Sequence, residues 1–301
     1  MLDDIRNAPY LNHEDLVGVN FIRDPGAYVY RRHYRTGLRS HIMEVLDPRE
    51  VEKESHGVTV DGVRRYPRAE PLKMLRIFKR RFLSLLEAED ELRRVKIIQA
   101  YLGSDYVARS EEFLVDYVRP GHKEILLCGL QEYVKGEVLE PWTHLEKNYL
   151  ESLLTDMEFG QRRESMMSAE QWIEDARQKA KGFVVKLKKM IVEAGYVPDL
   201  AGVGNLILSP SGHIKLVDIN NISKFSFNGP IPLDDRGYPV CDKSIRVMWL
   251  LEKKLLDQSP RKDDPIYETF LEPERMKDVK MLEEAFQRSI EVADPLSSQS
   301  K

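Results

Sequence analysis

Asp199, Asn205 and Asp218 are the side chains whose types and spacing are best suited to chemistry in this sequence. The first two lie in a glycine-bearing loop, and the third ends a predicted apolar strand. Carboxylate and amide oxygens are ligands that suit Mg²⁺, and an aspartate beside them can orient a hydroxyl and accept its proton. Phosphoryl transfer is catalysed mainly by positioning and charge neutralisation, so the set favours phosphotransferase chemistry.

A long helix and a β-hairpin must position these residues. Apolar residues recur every three or four positions over 169–194, which predicts a helix. Ser168 and Gln171 form a capping box at its start, and Gly195 is a natural stop. The loop and then two short strands, at 205–208 and 213–218, follow this helix, with a Ser-Pro-Ser-Gly turn between the strands.

The rest of the chain changes character near residue 140. Before it, we predict strands at 27–30, 57–64 (a hairpin turning at Asp61-Gly62), 72–78, 112–117 and 124–134, and a helix at 82–101. After it, helices predominate, with two more at 243–256 and 274–293. The expected fold is α+β, with a β-rich lobe at 1–134, a helical lobe at 135–296 and a disordered tail at 297–301.

The order of these features resembles the protein-kinase-like superfamily. The long helix, the aspartate loop, Asn205-Leu-Ile-Leu and Ile214-Lys-Leu-Val-Asp218 look like a kinase catalytic loop followed by its metal-binding motif. The resemblance implies a two-lobed fold in which Asp199 is the catalytic base and Asn205 and Asp218 hold Mg²⁺.

The same resemblance implies that ATP lies in a cleft between the lobes. The segment 130–139 looks like the hinge strand of the family, with Gln131 as the gatekeeper. Backbone groups of Glu132, Tyr133 and Val134 would then hold the adenine.

The strand at 72–78 supplies two more candidates. Because side chains alternate along a strand, Met74 and Arg76 share one face. The resemblance places Met74 over adenine and Arg76 where the family has a phosphate-binding lysine, although arginine is not an equivalent replacement. Glu91 on the following helix is the best partner for Arg76, and Glu87 is the alternative.

Asp242 resembles the buried helical aspartate that braces a kinase catalytic loop, or it caps its own helix. Several features depart from the family. A histidine before Asp199 is missing, the step from Asp199 to Asn205 is six residues rather than five, and Asp218 is not followed by the usual glycine. A glycine-rich phosphate loop is not recognisable either.

The expected function is therefore ATP-dependent transfer of phosphate to a hydroxyl of a small molecule, a lipid or a protein. One alternative is a pseudokinase that binds nucleotide or acts as a scaffold without turnover. A second is an RNA-associated protein that uses basic runs at 31–35, 64–65 and 79–81. Nearby acids and a net charge of −4 do not favour nucleic acid as a partner.

The composition of the chain excludes several other classes of protein. Hydrophobic residues make up 42% of the 301 residues and charged residues 32%, which excludes wholesale disorder. No apolar run approaches the roughly 18 residues of a membrane span. Two cysteines make neither a disulfide framework nor a zinc cluster. The acidic N-terminus lacks a secretory signal, so we expect a cytoplasmic protein.

Overall fold

The computed structural model describes residues 4–35, 37, 39–142, 145, 149–154, 168–258 and 264–293, the last four of these without their side chains. The fold is α+β, as predicted. The chain divides into two compact units. Residues 1–93 and 108–133 form the first unit, and residues 94–107 and 134–301 form the second.

An antiparallel five-stranded sheet forms the centre of the first unit. In spatial order its strands are β1 (Val29–Arg32), β2 (Ser40–Leu46), β5 (Lys73–Phe78), β7 (His122–Glu132) and β6 (Ser110–Arg119). One face of the sheet carries apolar side chains from alternate positions of the strands. Together with the N-terminal segment they form a buried core that includes Ile5, Leu11, Leu16, Met43, Leu75, Ile77, Leu126 and Cys128.

Shorter elements complete the first unit. They are a 3₁₀ turn (Ile5–Asn7), α1 (His13–Val17), α2 (Pro48–His56), the hairpin of β3 (Val58–Val60) and β4 (Val63–Arg65), and α3 (Leu85–Leu102), which continues beyond this unit. The predicted turn at Asp61 and Gly62 is confirmed, and both residues have positive φ, 52° and 74°.

The long helix α4 (Ala169–Ala194) is the main support of the second unit. Its predicted capping box is confirmed, because Gln171 N donates to Ser168 Oγ and Ser168 N donates to Gln171 Oε1. Gly195 ends the helix in the left-handed region at φ 69°. The apolar side of α4 is buried in the core of this unit.

Two small sheets follow α4. Strands β8 (Glu137–Val138), β10 (Leu206–Leu208) and β11 (Ile214–Leu216) form one, and β9 (Tyr196–Pro198) pairs with β12 (Ile222–Lys224) in the other. The predicted hairpin after the aspartate loop is therefore confirmed as β10 and β11. The loop itself connects β9 to β10.

The remaining helices of the second unit are α5 (Val240–Leu250), α6 (Pro265–Phe270) and α7 (Pro273–Ala293). A π-helical turn (Leu251–Leu255) extends α5, and residues 149–154 are also helical. None of the described helices is long and apolar enough to cross a membrane. The predicted tail at 297–301 lies outside the described residues.

Four elements of the first unit were not expected from the sequence: the 3₁₀ turn, α1, β2 and α2. β2 contains the polar residues His41 and Glu44, which are both buried. These two residues interrupt the alternation of apolar and polar residues that predicts a strand. α2 begins at an Asp47-Pro48 cap, where Asp47 Oδ1 accepts a hydrogen bond from Arg49 N. That start signal was present in the sequence and was missed.

Candidate functional site

Asp199 lies directly after β9 and is only 8% exposed. Its backbone N donates to the carbonyl oxygen of Asn221 at 3.0 Å, next to the start of β12. This bond extends the β9–β12 pairing by one step. The short sheet therefore places Asp199 beside the segment that follows Asp218.

The Asp199 carboxylate is held by three hydrogen bonds. Oδ1 accepts from the backbone N of Ala201 at 2.9 Å and of Gly202 at 3.0 Å. Oδ2 accepts from Nδ2 of Asn221 at 2.9 Å. The carboxylate thus shapes its own loop through Oδ1, while Oδ2 has capacity to accept a second hydrogen bond.

Asn205 is joined to the same aspartate. Its Nδ2 donates to the carbonyl oxygen of Asp199 at 2.9 Å, so its carboxamide oxygen is the atom left to act as a ligand. A Cβ on Gly202 would lie 2.5 Å from Nδ2 of Asn205, so this position requires glycine. The carbonyl oxygen of Asn205 accepts from Val217 N at 2.9 Å, which ties the loop to the residue before Asp218.

Asp218 follows β11 and lies within electrostatic range of Asp199. Burial of Asp199 raises the pKa of its carboxyl above the usual value, and the negative charge of Asp218 raises that pKa further. Hydrogen bonds from Asn221, Gly202 and Ala201 act in the opposite direction. The structure therefore brings together all three residues that the sequence singled out: Asp199, Asn205 and Asp218.

Two asparagines at this place were not identified from the sequence. Asn221 holds Oδ2 of Asp199, as described above. Asn220 is 8% exposed, and neither polar atom of its side chain has a hydrogen-bond partner among the described residues. Buried carboxamides are normally paired. The Asn220-Asn221 pair, separated from Asp218 by Ile219 alone, was the signal that sequence reasoning could have used.

Asp242 does not contact the aspartate loop through its described bonds. It is buried near the start of α5 and accepts from Arg275 of α7, Nε to Oδ1 at 2.5 Å and Nη2 to Oδ2 at 3.1 Å. Ser244, two positions along, contacts the loop: its Oγ accepts from Leu200 N at 3.0 Å. Both oxygens of Asp242 accept from Arg275, and bracing of the loop by Asp242 remains a prediction.

The side-chain oxygens around Asp199 suit Mg²⁺ better than a metal that needs a full protein cage. Within the described part of the chain, no group of three or more His, Cys, Asp or Glu side chains could hold a metal ion. Mg²⁺ does not need such a cage, because it keeps several waters and binds through one or two carboxylates plus substrate phosphates. The oxygens of Asp218 and Asn205, beside the unpaired carboxamide of Asn220, fit that requirement.

In the first unit, Met74, Arg76 and Gln131 share one face of the sheet, opposite to its apolar core. Strand register places Met74 beside Gln131, and Arg76 beside Gly129 and then Glu112. All three are buried. Burial raises the pKa of Glu112, and the positive charge of Arg76 lowers it. The Arg76 guanidinium is therefore close enough to Glu112 on this face to act on its carboxyl.

Arg80 hydrogen-bonds both Glu91 and Glu87. Its Nη1 donates to Glu91 at 3.0 Å and its Nη2 to Glu87 at 2.8 Å. Glu91 is the more buried of the two acids. Pairing of either glutamate with Arg76 remains a prediction.

The predicted hinge residues lie at the end of β7. Glu132 N donates to the carbonyl oxygen of Arg109 at 2.8 Å, so that N–H is already engaged. The Glu132 carboxylate also accepts from Arg109 Nε at 2.8 Å. Tyr133 is 36% exposed, and Val134 begins the second unit. Binding of adenine by the backbone groups of these residues remains a prediction.

Ion pairs within the first unit involve members of two of the basic runs. Arg31 pairs with Glu44 and Glu54. Arg81 pairs with Asp4 at 2.5 Å and with Glu124 at 3.0 Å. Carboxylates thus offset charges that an RNA-binding surface would need to present.

The sequence matches no family model and no curated protein.

Proposed function

We propose that the chain is an ATP-dependent phosphotransferase with a two-lobed, kinase-like fold, acting on a hydroxyl of a small molecule, a lipid or a protein. The observation that carries the proposal is the buried cluster of the second unit. In it, Asn205 hydrogen-bonds Asp199, and the charge of Asp218 acts on the Asp199 carboxyl.

Asp199 is the proposed base. Its Oδ2 accepts the proton of the acceptor hydroxyl as that oxygen bonds to the γ-phosphorus of ATP, while the bond from the γ-phosphorus to the bridging oxygen breaks and ADP leaves. Burial and the charge of Asp218 raise the pKa of Asp199, which makes it a stronger base than an exposed aspartate.

Asn205 and Asp218 would hold a Mg²⁺ ion through their side-chain oxygens. When bound, the ion neutralises negative charge on the nucleotide phosphates. In the first unit, we assign Met74 and Gln131 to contact with the nucleotide and Arg76 to its phosphates. Arginine is permanently cationic and binds phosphate through its planar fork.

A nucleotide-binding protein without turnover is the second candidate. This candidate is favoured because both oxygens of Asp199 already accept hydrogen bonds. Oδ1 accepts from its own loop, and Oδ2 accepts from Asn221. In that case the cluster would bind magnesium and nucleotide, and Asp199 would serve as a structural residue.

The test is calorimetric titration of ATP with Mg²⁺ or with EDTA, combined with a measurement of ADP release. We expect binding that requires Mg²⁺ and is lost in Asp218→Ala. Asp199→Asn should keep binding but lower kcat by about 100-fold or more. Asp278→Asn, an exposed acid of α7, is the matched control and should change neither quantity.

Each result decides between the candidates. Saturable binding without ADP release would favour the protein without turnover. An unchanged rate in Asp218→Ala would exclude the proposed site. Absence of ATP binding under both conditions would reject both candidates.

A further inference from the structure

A groove in the second unit lies between the first turns of α7 and the segment 229–233, which connects β12 to α5. Its volume is about 720 Å³, within the range of roughly 300–1,000 Å³ that is typical of ligand sites. Apolar side chains and three carboxylates make up most of its described lining. The groove therefore combines two kinds of contact that a ligand could use.

The apolar side chains of the groove are only partly covered by the rest of the chain. Leu233 is 46% exposed and Met281 is 53% exposed, and Ile231 and Leu282 line the groove with them. Single exposed apolar residues are ordinary, but these four share one concave surface. Covering that surface would remove apolar area from water and stabilise a complex.

One wall of the groove is a segment with little backbone freedom. Pro230 and Pro232 each fix φ in this segment. Asp234 holds the turn that follows, because its Oδ1 accepts from Arg236 N and from Tyr238 N, both at 2.9 Å. The wall is therefore held in place without a ligand, which lowers the entropic cost of binding one.

The other wall of the groove is negatively charged. Glu272 directly precedes α7, and Glu274 and Asp278 lie about one helical turn apart on it. None of these three carboxylates forms an ion pair within the part of the chain that the structure describes. Arg275 also lines the groove, but it pairs with both oxygens of Asp242, which offsets its charge. The groove thus presents negative charge to a ligand.

The acidic and apolar contacts are separated along α7. Glu274 and Met281 are seven residues apart, which is about 10 Å of helix rise. A cation and an apolar side chain seven positions apart on a helix, or about three apart in an extended segment, would match this distance. The sign of the charge favours Lys and Arg, and it disfavours nucleic acid and anionic lipid.

We propose that this groove docks a basic amphipathic segment of a partner protein. Lys or Arg side chains of that segment pair with Glu272, Glu274 and Asp278, and its apolar side chains pack on Leu233 and Met281. Docking at this groove requires neither ATP nor Mg²⁺.

The test measures fluorescence anisotropy of three labelled synthetic peptides of about 18 residues, a length that allows a helix. The first peptide contains only Leu and Lys in an amphipathic pattern. The second replaces every Lys by Glu, and the third replaces every Leu by Ser. We expect saturable, one-to-one binding of the Leu–Lys peptide, about tenfold tighter than that of either other peptide and weaker at higher salt.

Substitutions in the groove should weaken binding of the Leu–Lys peptide. Glu274→Gln and Asp278→Asn should each weaken it about threefold. Leu233→Ser should weaken it about fivefold, because apolar contact area is lost. Glu268→Gln, an exposed acid of α6, and Val192→Ser, at a 65% exposed position of α4, are the matched controls and should bind as the wild type does. Since Asp278→Asn should leave ATP binding unchanged, failure of this proposal is distinguishable from failure of the proposed function.

Three results would overturn the proposal. They are absence of saturable binding of the Leu–Lys peptide, equally tight binding of either other peptide, and affinity unchanged in both Glu274→Gln and Leu233→Ser. Sedimentation of the chain alone tests a different occupant. A dimer that Leu233→Ser dissociates would assign the groove to a second copy of this chain and would also overturn the proposal.

Discussion

At the scale of single residues, the Asp199 carboxylate combines structural and chemical roles. Oδ1 organises the loop through the N–H groups of Ala201 and Gly202, and Oδ2 accepts from Asn221 and is the oxygen that we propose as the proton acceptor. Asparagine keeps an oxygen that can accept the loop bonds, whereas alanine keeps none. Asp199→Asn is therefore the better substitution for separating catalysis from folding.

Ser244→Ala is predicted to destabilise the second unit by about 1–3 kcal/mol, because the buried N–H of Leu200 loses its only described acceptor. Urea unfolding measures the change. Ser289→Ala, at an exposed position of α7, is the control and should shift stability by less than about 0.5 kcal/mol. If the two variants are equally stable, Ser244 does not brace the loop.

His41 is predicted to make stability depend on pH. Its pKa is about 4 in the folded chain and 6.5 ordinarily, so the unfolded chain binds more protons between these values. Stability should fall as pH decreases from 6.5 to 4, by up to about 3 kcal/mol from this residue. Unfolding of wild type and His41→Leu isolates the effect.

The variant should lose less stability than wild type over that interval. The lowered pKa of Asp4, about 2, contributes only below this window. A wild-type curve parallel to that of the variant would contradict the assignment to His41.

At the scale of elements, α4 contains a glycine where helix propensity favours alanine. A Cβ on Gly182 would lie 2.3 Å from Oη and 3.3 Å from Cζ of Tyr106. The glycine therefore allows Tyr106 to pack closely against the helix, beside Phe183. Tertiary packing overrides local propensity at this position.

Gly182→Ala should destabilise the protein by about 1–3 kcal/mol through this overlap. In a Tyr106→Phe background, where Oη is absent, the same change should cost much less or become stabilising, since alanine favours the helix by about 1 kcal/mol. A thermodynamic cycle from denaturant unfolding of the four proteins measures the coupling. Equal effects of Gly182→Ala in both backgrounds would show that the hydroxyl is not the cause.

At the scale of the whole molecule, contacts between residues distant in the chain hold each unit together. In the second unit, Arg275 of α7 pairs with both oxygens of the buried Asp242 in α5, and its guanidinium carbon lies 4.3 Å from the centre of the Phe270 ring. One side chain thus joins α5, α6 and α7.

Arg275→Gln is predicted to cost about 3–5 kcal/mol, because it leaves Asp242 as a buried, unpaired charge. The double variant with Asp242→Asn should lose less than Arg275→Gln alone. Lys280→Gln removes an exposed charge of the same helix and is the control, with an expected change below about 1 kcal/mol. A double variant no more stable than Arg275→Gln would rule out the unpaired charge as the cause.

Sequence alone determined the parts that depend on neighbours along the chain. Periodicity and capping residues located α4, and Asp61-Gly62 located a hairpin turn. Two short apolar runs around a Ser-Pro-Ser-Gly turn predicted the β10–β11 hairpin. The grouping of Asp199, Asn205 and Asp218 was also accessible, because a short loop and a tight hairpin keep the three residues within a limited reach.

Tertiary structure decided the partners that come from elsewhere in the chain. Ser244 of α5 accepts a hydrogen bond from Leu200 N in the loop, and both oxygens of Asp242 accept from Arg275 of α7. The buried His41, whose Nε2 lacks a partner in the described part of the chain, could not be recognised, since the pattern of β2 does not distinguish a buried polar residue from an exposed one. Local signals encode backbone geometry, whereas burial and charge pairing depend on which distant segments meet.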